Sequence, residues 1–130
     1  MALKPRRYAR KRLPDGLPVL DDDVLADLRD SGGGSEGLIK RVFKLFCDNA
    51  PLSFAEIEKT SQKNDQIALA DAAHALKSMC ANIGAAKAAA ACHDLELAIR
   101  QDEDIDVGAA IAEISATMNE ALGQIRQLQA

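Results

Sequence analysis

The stretch Asp71-Ala72-Ala73-His74-Ala75-Leu76-Lys77-Ser78-Met79-Cys80-Ala81-Asn82-Ile83-Gly84-Ala85 decides how the rest of the chain must fold. Residues 66 to 83 are wound as a helix at about 100° per residue, with His74 set at zero. Leu69, Ala72, Leu76, Cys80 and Ile83 then share one arc at roughly 160° to 240°. A helix with a single apolar stripe needs neighbours to cover it. His74 lies opposite the stripe, at mid-helix, facing solvent. Lys77 and Ser78 flank it on the same face, one turn further on. Packing does not explain an imidazole held out to water on a rigid helix beside a cation and small neighbours. A reactive group on display does.

Composition points to helices around this one. The chain has 130 residues, one Tyr, three Phe and no Trp; it is alanine-rich, with few β-branched runs. One all-α domain with small interfacial residues follows, long enough to bury a core. No apolar run approaches the roughly 18 residues that span a bilayer, and no signal-peptide pattern opens the chain. Three cysteines at unpatterned spacings argue against a disulfide framework and for a reducing compartment, so a cytoplasmic location is expected. Residues 1 to 12 hold six of the 16 basic residues and none of the 20 acids, which leaves 10 against 20, a net of −10, on the remainder. Residues 1–17, with Pro5 and Pro14 and no periodicity, read as a flexible basic linker or tail; residues 18–130 read as the folded domain.

Asp21, Asp22 and Asp23 after Leu20 open a short first helix with Val24, Leu25 and Leu28 on its apolar side. Ser31-Gly32-Gly33-Gly34 ends it, and Ser35 caps a longer second helix. That helix carries Leu38, Ile39, Val42, Phe43, Leu45 and Phe46, and its pattern resumes beyond Pro51 at Leu52, Phe54 and Ile57. It is expected to run as one long kinked helix to about Thr60; two collinear helices are the alternative. Asn64 or Asp65 caps the His74 helix and Gly84 stops it. Ala85 to Arg100 makes the next, with Ala88, Ala91, Cys92, Leu95 and Ile99 facing inward. After the acidic turn 101–104, Val107 to about Leu128 makes the last, through Ile111, Ile114, Met118, Leu122 and Ile125. Four long helices joined by short loops predict an antiparallel up-down-up-down bundle, its end covered by the short first helix.

His74-Ala75-Leu76-Lys77-Ser78, followed by Ile83-Gly84-Ala85, resembles the signature of histidine-containing phosphotransfer (HPt) domains, and Leu95-Glu96 in the next helix also fits. That signature places Gly or Ser after the Lys; Gly is commoner and leaves more space, whereas Ser78 is bulkier and can donate a hydrogen bond. The resemblance favours the single kinked second helix and implies a four-helix-bundle phosphorelay intermediate of two-component signalling. In it His74 would accept a phosphoryl group from a receiver-domain aspartate and pass it to another receiver. Neutral imidazole suits that attack, because its free pKa is about 6.5. Lys77 is placed to neutralise phosphoryl oxygens, and Ser78 to hydrogen-bond them or leave room. The expected partners are response-regulator receiver domains, with a hybrid sensor histidine kinase also possible. Magnesium would belong to the receiver, with no cofactor or metal held here. No autonomous kinase activity, no nucleic-acid binding and a monomeric state are expected.

Docking needs a surface as well. Ile67, Ala70, Asp71 and Ala81 fall on the His74 face, and Ile67, about 20° from His74, is an apolar side chain on the wrong side for the core. The preceding helix can add residues from its own solvent face. His93 lies nearly opposite Leu95 and reads as a surface residue. Cys47, Cys80 and Cys92 read as small core side chains, Met79 and Met118 as core filler. Glu96 reads equally as a helix-surface ion-pair residue and as a functional one. Zinc fails on geometry, because His74 and Cys80 point to opposite sides of one helix. Two other classes remain: a helical module that docks receivers without turnover, and a nucleic-acid binder working through residues 4 to 12.

Overall fold

Three of the helices start on an aspartate. Asp21 Oδ1 accepts from the Asp23 amide at 2.9 Å and opens α1 (Asp22–Ser31). Asp65 Oδ1 accepts from the Ala68 amide at 3.0 Å and opens α3 (Gln66–Asn82). Asp106 Oδ1 accepts from the Ala109 amide at 3.0 Å and opens α5 (Val107–Gln129). Each carboxylate satisfies an orphan helix donor and adds negative charge where the helix dipole favours it. The other two, α2 (Gly37–Gln62) and α4 (Ala86–Arg100), have no side-chain cap and follow Glu36 and Ala85.

This is a computed structural model, and it describes residues 16–33 and 36–129. Ser35, expected as the cap of α2, and the basic arm at residues 4 to 12 lie outside the described residues, as does most of the 1–17 segment. No strand occurs among the described residues. Helix α2 packs on α3 and α5, and α4 packs on α3 and α5, so the four long helices close a ring. Three-residue links, Lys63–Asp65 and Ile83–Ala85, join α2 to α3 and α3 to α4. Links that short favour an antiparallel return, which is consistent with the expected up-down-up-down bundle.

The core fills as the wheel predicts, with two exceptions. Leu69, Ala72, Leu76, Cys80 and Ile83 of α3 are all buried, as are Ile39, Phe43, Phe46 and Ile57 of α2 and Ile114, Met118, Leu122 and Ile125 of α5. Burying one Leu or Ile side chain contributes about 1.5–3 kcal/mol. Leu45 and Leu52, expected to continue the apolar side of α2, are exposed instead. Both lie about 100° to 120° around the helix from Phe46, beyond the arc that the ring covers. Pro51 sits inside one continuous α2 that runs to Gln62. It is on the solvent side, where water can satisfy the carbonyl that loses its amide partner.

The turn after α3 is where α1 is attached. Gly84 has φ +79°; its amide donates to the Ala81 carbonyl at 3.1 Å, and the Ala85 amide donates to Cys80 at 2.8 Å. This pair of bonds is a Schellman motif, which needs a left-handed residue and hence favours glycine. It also takes Ala85 out of α4, so that helix begins one residue later than expected. The Gly84 carbonyl accepts from the Asp21 amide at 2.7 Å, and the Pro18 carbonyl accepts from the Lys87 amide at 3.2 Å. The short helix is thus laced to the end of the bundle by backbone.

Candidate functional site

His74 stands at the middle of α3 with its side chain 56% exposed. Rigid helix on both sides and the buried Ala73 and Leu76 beneath it hold its backbone in place. Its Nδ1 lies 3.1 Å from Glu96 Oε1 and 2.9 Å from Oε2, across the gap to α4. A carboxylate can only accept, so it selects the ring form that carries its proton on Nδ1. Nε2 is then the bare nitrogen, directed away from Glu96 toward solvent.

Glu96 gathers three donors. Lys77 Nζ donates to Oε1 at 2.7 Å, Arg100 Nε donates to Oε2 at 3.0 Å, and His74 Nδ1 contacts both oxygens. Glu96 is 7% exposed, a buried charge with every acceptor occupied. Burial alone would raise its carboxyl, but the hydrogen bonds from Lys77, Arg100 and His74 outweigh burial and hold it down at about 2. Arg100 also reaches on, with Nη2 donating to Asp71 Oδ1 at 3.0 Å. Asp71, Arg100, Glu96 and His74 form one connected chain of polar contacts over two helices.

The expected residues divide. Lys77 is beside His74, a quarter exposed, and holds Glu96 in this state. Ser78 is exposed beside it, but its hydroxyl donates to the His74 carbonyl at 3.1 Å, so that proton is already committed. Ile67, 75% exposed, and Ala81 lie open on the surface, whereas Asp71 is exposed but tied to Arg100. Ala70 was expected on the open face and is 1% exposed, which removes it from any docking surface. The reason is tertiary: α3 is flanked by both α2 and α4, and Ala70 lies on the arc between Asp71 and α4 that Arg100 bridges. Its methyl group is too short to emerge.

Glu96 is the residue that sequence reasoning left undecided, and Arg100 the one it missed. Their spacing of four on α4 puts both on one face, but nothing local aims that face at His74. No group of His, Cys, Asp and Glu among the described residues could hold a metal ion. His93 is exposed, and Cys80 and Cys92 are buried free thiols; Cys47 is only half-buried.

A histidine displayed at mid-helix, locked through Nδ1 to a buried carboxylate and flanked by lysine on an all-helical bundle, defines a domain built to present Nε2. The chain belongs to the Hpt domain family, whose model matches residues 41–128. It is similar to the crystal structure of histidine-containing phosphotransfer protein B (HptB) from Pseudomonas aeruginosa PAO1, with a TM-score of 0.77 and 26% sequence identity, over 85% of this chain and 93% of that one. No curated protein sequence matches the chain.

Proposed function

We propose that this chain is a histidine phosphotransfer intermediate of a two-component phosphorelay, and that His74 is the residue carrying the phosphoryl group. The single observation that carries this reading is the Nδ1 contact to buried Glu96, which leaves Nε2 as the nucleophile. In the step proposed, the Nε2 lone pair attacks phosphorus of a receiver aspartyl phosphate. The P–N bond forms as the P–O bond to the aspartate breaks, and the carboxylate leaves with the electron pair. The ring becomes positive while its proton stays on Nδ1, donated to Glu96, so no proton has to move and the carboxylate stabilises the charge as it develops. Lys77, released from Glu96, would meet the phosphoryl oxygens; Ser78 would assist only by leaving the His74 carbonyl. Transfer to a second receiver is the reverse step.

On this reading the chain has no kinase activity of its own, and magnesium belongs to the receiver. The partners are receiver domains, alone or within a hybrid sensor kinase, met by a monomer in the cytoplasm. No helix of the described residues is long and apolar enough to cross a membrane. The docking surface would comprise Ile67 and Ala81 of α3 with Leu52 of α2, which is 69% exposed. With α2 and α3 antiparallel, as their short link favours, Leu52, ten residues before the end of α2, would lie level with Leu76, ten after the start of α3. The other flank of α2, with Lys40, Lys44 and Cys47, lines a groove with Leu128 of α5; the Leu52 flank therefore borders α3. Apolar side chains beside the nucleophile would exclude water from the junction and strengthen the Lys77 contribution.

Phosphotransfer from a phosphorylated receiver to the wild type and to His74→Gln tests the reading, scored by acid-labile, base-stable label. Label on the wild type and none on the variant is the expected result. No label from any of a panel of receivers, with binding intact, would refute phosphotransfer and leave a docking module.

A further inference from the structure

Asp71 lies on the face read as a docking surface, yet its carboxylate is turned to Arg100. Arg100 is itself half-exposed, a long side chain that would otherwise spread among many rotamers in water. Two carboxylates fix it: Nε on Glu96 Oε2 and Nη2 on Asp71 Oδ1, each at 3.0 Å. The guanidinium fork fits this bridging geometry, and a lysine could not span it. Asp71 is thereby joined to the His74 ring through two intervening charges, although it makes no hydrogen bond or ion pair with the ring.

We propose that Asp71 is a positioning residue for His74 that acts through Arg100, pinning the guanidinium across Glu96 so that this carboxylate is balanced and the ring stays uncharged and nucleophilic. The inference rests on His74 being the phosphoryl acceptor. Glu96 must orient the ring without trapping it as an imidazolium, since a protonated Nε2 has no lone pair to offer. An unbalanced carboxylate in contact with Nδ1 would favour the charged ring. Lys77 balances Glu96 in the resting state but is the cation needed at the phosphoryl group. Arg100 is the cation that remains when Lys77 leaves, provided that Asp71 holds it. The charged groups around the ring are Asp71 and Lys77 on α3 and Glu96 and Arg100 on α4. Glu56 and Lys59 of α2 are exposed and make no ion pair with them.

The sign of one measurement separates this route from a direct effect. Acting directly through solvent, removal of an anion near the ring disfavours the imidazolium and lowers its titration midpoint. Acting through Arg100, the same removal frees the guanidinium, exposes the ring to a less balanced Glu96 and raises the midpoint. Glu96 is buried while Asp71 is two-thirds exposed, so the field at Glu96 is the less screened of the two and the indirect route should prevail. The experiment follows the His74 ring signals by NMR against pH in the full chain, for wild type, Asp71→Asn, Arg100→Gln and the double variant. Both single variants should raise the midpoint, with the double variant no higher than Arg100→Gln. A fall or no change in Asp71→Asn, or a double-variant shift that sums the two, would overturn the proposal. Asp71→Glu, which keeps the anchor, should restore most of the wild-type midpoint; no restoration would count against it. Circular dichroism checks that each variant is folded. The titration needs no receiver, so a failure of phosphotransfer would be a separate result.

Discussion

Glu96 gathers His74, Lys77 and Arg100 on one buried carboxylate. Its carboxyl, ordinarily near 4.5, is held at about 2 by its three donors. A folded-state value below the unfolded one means that the associated stability is fully present above about pH 4.5 and lost as pH falls through about 2. The shift corresponds to about 3 kcal/mol. Glu96→Gln should lower stability at neutral pH by about that amount, since Lys77 and Arg100 lose their shared counter-ion. Urea unfolding over a pH series checks it: wild type and variant should converge as pH approaches 2. Parallel curves would mean that the three hydrogen bonds contribute nothing net. The amide could still accept from Nδ1, so His74 would keep its ring orientation while losing the electrostatic support.

Among the elements, the α3–α4 turn has the most demanding geometry. Gly84 combines φ +79° with close approach of α1: a Cβ there would stand 2.9 Å from the Val24 Cβ and 3.2 Å from the Asp21 carbonyl oxygen. Gly84→Ala should therefore cost about 2 kcal/mol and lower Tm by about 6–10 °C. Gly123 supplies the contrast. It lies inside α5 with nothing within 4 Å of a Cβ, so Gly123→Ala should stabilise by about 0.5–1 kcal/mol. Calorimetry of the two variants should give opposite signs; a fall in both would mean that helix propensity does not govern α5.

For the whole molecule, the arrangement that matters is the flank shared by α2 and α3. Leu52 and Ile67 are strongly exposed, so Leu52→Asp and Ile67→Asp should leave folding unchanged. Each should weaken binding to a cognate receiver on the order of tenfold, because an introduced charge must be desolvated at the junction. Titration calorimetry with that receiver tests this. Unchanged affinity in both would move the docking surface away from this flank.

Much of this protein was legible in the sequence, because helix period and cap chemistry are local. The apolar stripe of α3, the start of α1 at the Asp21–Asp23 run, the start of α3 at Asn64 or Asp65, the left-handed Gly84 and the outward His74 each depend on residues a few positions apart. Solvent exposure of Ile67 was legible for the same reason. Burial at the edge of a helix was not: a wheel shows which way Ala70 and Leu52 point, but the placement of neighbouring helices decides whether anything covers them. The Nδ1 partner was out of reach as well, since Glu96 is 22 residues from His74 and Arg100 is 29 from Asp71. The sequence by itself determined the helices, their apolar faces and the displayed histidine. Only the tertiary structure decided which nitrogen is free, because that choice depends on a carboxylate brought across from another helix.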